Sequence, residues 1–217
     1  MQSSSALHLV VFDLDGTLVD SRRDLAFAVN ALVVELGGSP LSEEAVGNMV
    51  GEGAAVLVRR ALTASGLDPA APSALPRFVE LYGEHLLDTT NPYEGMEDTL
   101  ATLSHRMSMA VLTNKPQGAT DRIIEAFNWR QFFNPVVGGD TSLGRKPDPA
   151  ALLHICGLNG VDPSRTVLVG DSPIDLATAR RAGTRICLAR YGFGYREADL
   201  EPGEWQVDAP SDLTSLF

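Results

Sequence analysis

The segment Val11-Phe12-Asp13-Leu14-Asp15-Gly16-Thr17-Leu18 decides how this chain is read. An apolar run over residues 7–12 stops abruptly at Asp13. A short buried strand ending in Asp-x-Asp-Gly-Thr places two carboxylates just past its C-terminal edge, where open parallel sheets bind ligands. Residues two apart in an extended chain point the same way, so Asp13 and Asp15 face one site. Gly16 permits a tight turn and a close backbone approach. Neighbouring carboxylates repel unless a cation or a shared proton relieves them, and a hard, oxygen-seeking ion such as Mg²⁺ does so naturally. Aspartates also serve as plain turn and cap residues after strands, so the segment alone leaves both roles open.

Working outward, further apolar runs lie at residues 107–112, 166–169 and 185–188, with a shorter one at 135–137. Helical periodicity fills residues 97–105, 117–127, 149–156 and 173–182 between them. Strands alternating with helices of this length predict an α/β fold, with a parallel sheet covered on both faces. The alternation breaks between the first two strands. Residues 21–92 carry no strand pattern but show helical patterns near 24–36, 42–49, 54–65 and 73–87, punctuated by Gly37-Gly38-Ser39-Pro40 and a Pro/Ala-rich stretch at 68–76. The expected organisation is a Rossmann-like three-layer parallel-sheet core from residues 1–20 and 93–217, with an inserted helical cap domain at 21–92. Asn91-Pro92-Tyr93 marks the return to the core.

Three other segments place chemistry at strand ends. Ala110-Val111-Leu112-Thr113-Asn114-Lys115 closes a strand with a hydroxyl and an amide, both able to bind phosphoryl oxygens, though Thr and Asn also leave strands as caps. Gly144-Arg145-Lys146-Pro147-Asp148-Pro149 offers Lys146 beside a proline-fixed helix start. Val167-Leu168-Val169-Gly170-Asp171-Ser172-Pro173-Ile174-Asp175 is an apolar strand followed by two acids four apart at a helix opening, with Pro173 near the first helical position. Arg145 and Lys115 read as surface or cap residues.

Composition narrows the partners. Across 217 residues, 17 Lys plus Arg face 28 Asp plus Glu, a formal charge of -11 with no basic run. That balance disfavours nucleic acid and anionic membranes. It also repels a small anionic substrate, so the site must supply its own positive charge. The start, Met1-Gln2-Ser3-Ser4-Ser5-Ala6-Leu7-His8, has neither the basic residues of a signal peptide nor an apolar stretch long enough to span a bilayer. Cys156 and Cys187 lack metal-ligand spacing and read as small buried hydrophobes. A cytoplasmic protein, monomer or homodimer, is the expectation.

With these motifs in order, the chain resembles the haloacid dehalogenase superfamily. The resemblance implies that Asp13 attacks phosphorus to form an aspartyl phosphate and that Asp15 is the general acid/base. It further implies that Thr113 and the following amide, at Asn114, hold the phosphoryl group, and that Lys146 neutralises charge in the transition state. Mg²⁺ would bind Asp13, the backbone carbonyl of Asp15, and Asp171, with Asp175 either a direct ligand or a group holding waters and Lys146. Dehalogenases of the superfamily lack the second acid, since a halide leaves without a proton; Asp15 therefore points to phosphate esters. The segments Met49-Val50-Gly51-Glu52-Gly53-Ala54-Ala55, Thr113-Asn114-Lys115-Pro116, Gly138-Gly139-Asp140 and Tyr191-Gly192-Phe193-Gly194-Tyr195 look like those of bacterial phosphoglycolate phosphatases. That likeness implies a small phosphorylated metabolite, 2-phosphoglycolate foremost, with Gly51 and Gly53 approaching its non-phosphate end and Arg59 or Arg60 as possible carboxylate readers. A sugar-phosphate or amino-sugar-phosphate phosphatase, a pyrophosphatase, a phosphomutase and a non-catalytic phosphate-binding module are the alternatives.

Overall fold

The computed structural model describes residues 7–217; Met1–Ala6, part of the N-terminal reading above, lie outside the described residues. In chain order the elements are β1 (Leu9–Phe12), β2 (Val19–Asp20), α1 (Arg22–Glu35), α2 (Glu43–Gly47), α3 (Ala54–Ala64), α4 (Ala74–Glu84), β3 (Asn91–Pro92), α5 (Met96–Ser104), β4 (Ser108–Leu112) and α6 (Gln117–Ala126). They continue with β5 (Val136–Val137), α7 (Ala150–Asn159), β6 (Thr166–Gly170), α8 (Pro173–Ala182), β7 (Arg185–Ala189), β8 (Trp205–Val207) and α9 (Leu213–Leu216).

Six strands form one sheet in the order β5-β4-β1-β6-β7-β8, and every neighbouring pair is parallel. Chain order reverses beside β1, which pairs with β4 on one side and β6 on the other. A crevice beyond the C-terminal strand ends at such a reversal is where this architecture holds ligands.

The alternation of strand side chains divides the core into two layers. Val10, Phe12, Val111, Val167 and Val169 pack with Leu100, Leu103, Ile123 and Ile124 from α5 and α6. Leu9, Val11, Ala110, Leu112 and Leu168 pack on the opposite face with Leu152, Ile155, Leu176 and Ala179 from α7 and α8. The three-layer α/β expectation is therefore met.

Helices α1 to α4 all fall between β2 and β3, an antiparallel pair with Val19 opposite Pro92 and Asp20 opposite Asn91. This two-stranded neck brings the two ends of the helical excursion together at its base. The sequence reading missed β2, β3, β8 and α9, elements of two to four residues too short to show a period; β3 falls at the end of the 21–92 stretch read as free of strand. It also ended the helix now seen as α7 three residues early, at Cys156 rather than Asn159. Among the described residues, no helix is long and apolar enough to cross a membrane.

Candidate active site

The carboxylates converge because their strands do. β1 lies between β4 and β6, and the Asp13 amide donates to Val169 O at 2.8 Å, so the two strand ends are in register where Asp13 and Asp171 emerge. Asp13 is 7% exposed, and its Oδ1 accepts from Leu14 N at 2.7 Å and lies 2.8 Å from Lys146 Nζ. Burial raises the Asp13 carboxyl to about 6, with Asp175 adding to the rise and Lys146 opposing it.

Lys146 bridges two carboxylates. Its Nζ lies 2.6 Å from Asp175 Oδ1 as well as touching Asp13, and it is 4% exposed. Burial works against its charge, but Asp13 and Asp175 outweigh burial and hold the ammonium above its usual range. Asp175 Oδ2 accepts from Ser172 N at 3.1 Å and Ser172 Oγ at 2.6 Å, half of a reciprocal cap that opens α8. Both Asp175 oxygens thus have protein partners.

Asp171 is packed by glycines. Its Oδ2 accepts from Gly194 N at 2.7 Å. A Cβ built on Gly16, which has φ +82°, would stand 1.9 Å from that oxygen, and one on Gly192 would stand 2.3 Å from Asp171 Cβ. Only glycine lets these two loops close on the carboxylate. The Tyr191–Tyr195 segment therefore supports the site. Its Tyr191 hydroxyl donates to Thr17 O at 3.1 Å.

Each of Asp13, Asp171 and Asp175 offers an oxygen within 4.8 Å of the others. Burial, with Asp175 and Asp13 nearby, drives the Asp171 carboxyl well above the usual range. The cluster therefore holds more negative charge than Lys146 offsets. An all-oxygen donor set in that condition fits a hard divalent cation.

The second aspartate lines the same cavity but pairs with a different lysine. Asp15 Oδ1 accepts from Ser21 Oγ at 2.6 Å and from Lys115 Nζ at 2.7 Å, while Oδ2 lies 3.0 Å from the same ammonium. Lys115 was expected at the surface; it is 5% exposed, and its Nζ also donates to the Tyr82 hydroxyl on α4 at 2.5 Å. The reason is compensation: a buried ammonium persists where a carboxylate and a phenol oxygen replace its hydration. Burial alone would lower its pKa, and Asp15 with Tyr82 overcomes that. No spacing rule could have revealed this partnership, since Tyr82 is contributed by the helical excursion.

Thr113 follows β4, buried, and its Oγ1 accepts from Lys115 N at 3.2 Å. Asn114 Nδ2 donates to Lys146 O at 2.9 Å and to Gly51 O at 2.8 Å, which ties the Gly51–Gly53 loop to the sheet edge. Asn114 Oδ1 is buried with no protein partner. Arg59 is exposed, and Arg60 is committed to Met49 O and Glu52 within the loop. Neither lines the cavity of about 470 Å³ that spans Asp13, Asp15, Thr113 and Asp171 on one side and Leu57, Phe78 and Tyr82 on the other.

A doubly wound sheet with lysine-bridged aspartates at its switch point, enclosed by a helical insertion, defines a hydrolase-type α/β protein with a carboxylate centre. The chain belongs to the haloacid dehalogenase-like hydrolase family, whose model matches residues 10–189. It is 42% identical to a Pseudomonas putida protein named phosphoglycolate phosphatase, over 96% of this chain and 78% of that one. A Chromobacterium violaceum protein of the same name is 39% identical, covering 96% of this chain and 95% of the relative. The crystal structure of a predicted phosphoglycolate phosphatase from Haemophilus somnus 129pt superposes with a TM-score of 0.89 at 29% identity, covering 100% of this chain and 99% of that one.

Proposed function

We propose that this chain hydrolyses 2-phosphoglycolate, releasing glycolate and inorganic phosphate. The observation that carries the reading is the meeting of Asp13, Lys146, Asp171 and Asp175 at one strand-end crevice, with Asp15 beside them. The names borne by relatives about 40% identical over nearly the whole chain support the choice of ester.

Asp13 is the nucleophile. Its Oδ1 is held by Leu14 N and Lys146, which leaves Oδ2 free of those contacts to attack phosphorus. As that bond forms, the bond from phosphorus to the ester oxygen breaks and Asp15 gives the leaving oxygen its proton. Asp15, now a carboxylate, takes a proton from water, whose oxygen attacks the aspartyl phosphate and returns Asp13 to its starting form. Thr113 and the Asn114 amide orient the phosphoryl oxygens, and Lys146 offsets the charge that accumulates on them. Asp13, the Asp15 carbonyl and Asp171 would hold Mg²⁺, which would supply electrostatic stabilisation of that charge. Asp175 holds Lys146 and bound water. Residues 21–92 act as a cap domain that excludes water, with Gly51 and Gly53 at the substrate's far end. The work is that of a cytoplasmic metabolic enzyme.

The test is a panel of phosphate esters assayed with Mg²⁺ and with chelator. The reading expects 2-phosphoglycolate to rank above sugar phosphates in kcat/KM and chelation to abolish turnover. A sugar phosphate ranking first would replace the substrate, and metal-independent turnover would remove the role given to Asp171.

A further inference from the structure

We propose that Lys115 Nζ and the Tyr82 hydroxyl form a subsite for an anionic group on the leaving alcohol, and that Asp15 occupies this subsite until substrate arrives. The proposal rests on the phosphatase reading and identifies what reads the carboxylate end of the substrate.

Charge around the cavity leads to this pair. Asp13, Asp15, Asp140 and Asp171 all line it, so a substrate carrying a second anionic group enters a strongly negative space. Lys146 is committed to the nucleophile at the phosphoryl end. Two cations line the cavity, Lys115 and Arg122. Arg122 is exposed and its Nη1 donates to Gly83 O at 2.7 Å, while Lys115 is buried.

Distance points the same way. A general acid must come within about 3 Å of the oxygen it protonates. Lys115 Nζ is 2.7 Å and 3.0 Å from the two Asp15 oxygens. A carboxylate one carbon beyond the ester oxygen therefore comes within reach of the same ammonium. Tyr82, 2.5 Å from Nζ, accepts from Lys115 and keeps its own proton to donate to an anion. Leu57, Phe78 and Val79 make the adjoining wall apolar, which strengthens the attraction by excluding water.

The Asp15 carboxylate, gripped through both oxygens, stands where the substrate carboxylate would lie. An incoming carboxylate takes over Lys115 and frees Asp15, which takes up a proton from solvent water in place of the ammonium contact and turns toward the leaving oxygen to deliver it. A neutral tail leaves the Lys115–Asp15 pair closed. The device thus ties recognition of charge to release of the acid.

The experiment compares kcat/KM for 2-phosphoglycolate and its neutral amide, 2-phosphoglycolamide, in the wild type and in Lys115→Gln, Lys115→Arg and Tyr82→Phe. The wild type should prefer the acid by about 10- to 100-fold, the size of a charged hydrogen-bonding pair. Lys115→Gln should bring that ratio to within about threefold of unity, and Lys115→Arg should retain most of it. Tyr82→Phe should lower the ratio several-fold, and it reads the subsite even if Lys115→Gln does not fold. A wild type that hydrolyses acid and amide equally, or a Tyr82→Phe or Lys115→Gln enzyme with the wild-type ratio, overturns the subsite while the phosphatase reading stands. Should the wild type hydrolyse neither ester, the phosphatase reading falls, and calorimetric titration with the two compounds decides the subsite: tighter binding of the acid upholds it and equal affinity overturns it.

Discussion

The Lys146 ammonium lies 2.8 Å from Asp13 Oδ1 and holds the candidate nucleophile from a loop 133 residues further along the chain. Because Lys146 also touches Asp175, its loss would leave two buried carboxylates without their shared cation. Lys146→Met should lower kcat by at least about 10³-fold, as loss of a preorganised charge at the reacting centre does. Its urea midpoint should fall by an amount equivalent to about 3–5 kcal/mol, the cost of breaking a buried ion pair. An enzyme with near-normal kcat would remove Lys146 from the chemistry.

Proton linkage gives a second expectation. Asp13 is raised to about 6 and Asp171 is raised well above its ordinary value, in both cases chiefly by burial. A carboxyl raised on folding binds a proton that the unfolded chain has already released. Its stabilising contribution is complete at low pH and is lost as pH rises through the folded value. A divalent cation held by this cluster would displace those protons, so the apparent affinity for Mg²⁺ should climb between about pH 5 and pH 7, with proton uptake by the buffer. Calorimetry in two buffers of different ionisation enthalpy measures this; identical heats in both would contradict it.

At the neck of the helical excursion, Asp24 on α1 accepts from the backbone amides and hydroxyls of Thr89 and Thr90, at 2.6 to 3.0 Å. Burial pushes its carboxyl up, and these hydrogen bonds outweigh burial and hold it below the usual range. The stabilisation is therefore present at neutral pH and is lost as pH falls through the folded value. Asp24→Ala orphans the buried amide and hydroxyl of Thr90 and the partly buried donors of Thr89, and should cost about 2–4 kcal/mol at pH 7, read from urea unfolding. The difference from wild type should shrink at low pH; a constant difference across pH would show that packing rather than charge is lost.

The parts of this protein legible in sequence are those written in short contiguous stretches. Asp13, Asp171 and Lys146 follow strand ends or a loop start whose apolar and proline punctuation is local, and the strand order then brings them together. Asp175 showed its place through the helix opening it caps, and its grip on Lys146 emerged only in three dimensions. Lys115 was misread because its burial depends on Tyr82, 33 residues away on a separate helix. Asp24 had no local signal of its role, because its partners lie 65 and 66 positions on. Strand β8 escaped notice because Gln206 is exposed between flanking residues that are only partly or fully buried, too brief an alternation to register.

The central claim is that Asp13 carries the phosphoryl group. Rapid acid quench during turnover of ³²P-labelled 2-phosphoglycolate, followed by mass spectrometry of the digested chain, tests it most directly. The account predicts a hydroxylamine-labile phosphate on Asp13, and no label and no turnover in Asp13→Asn. Sustained turnover by Asp13→Asn, or labelling at another residue, would contradict it.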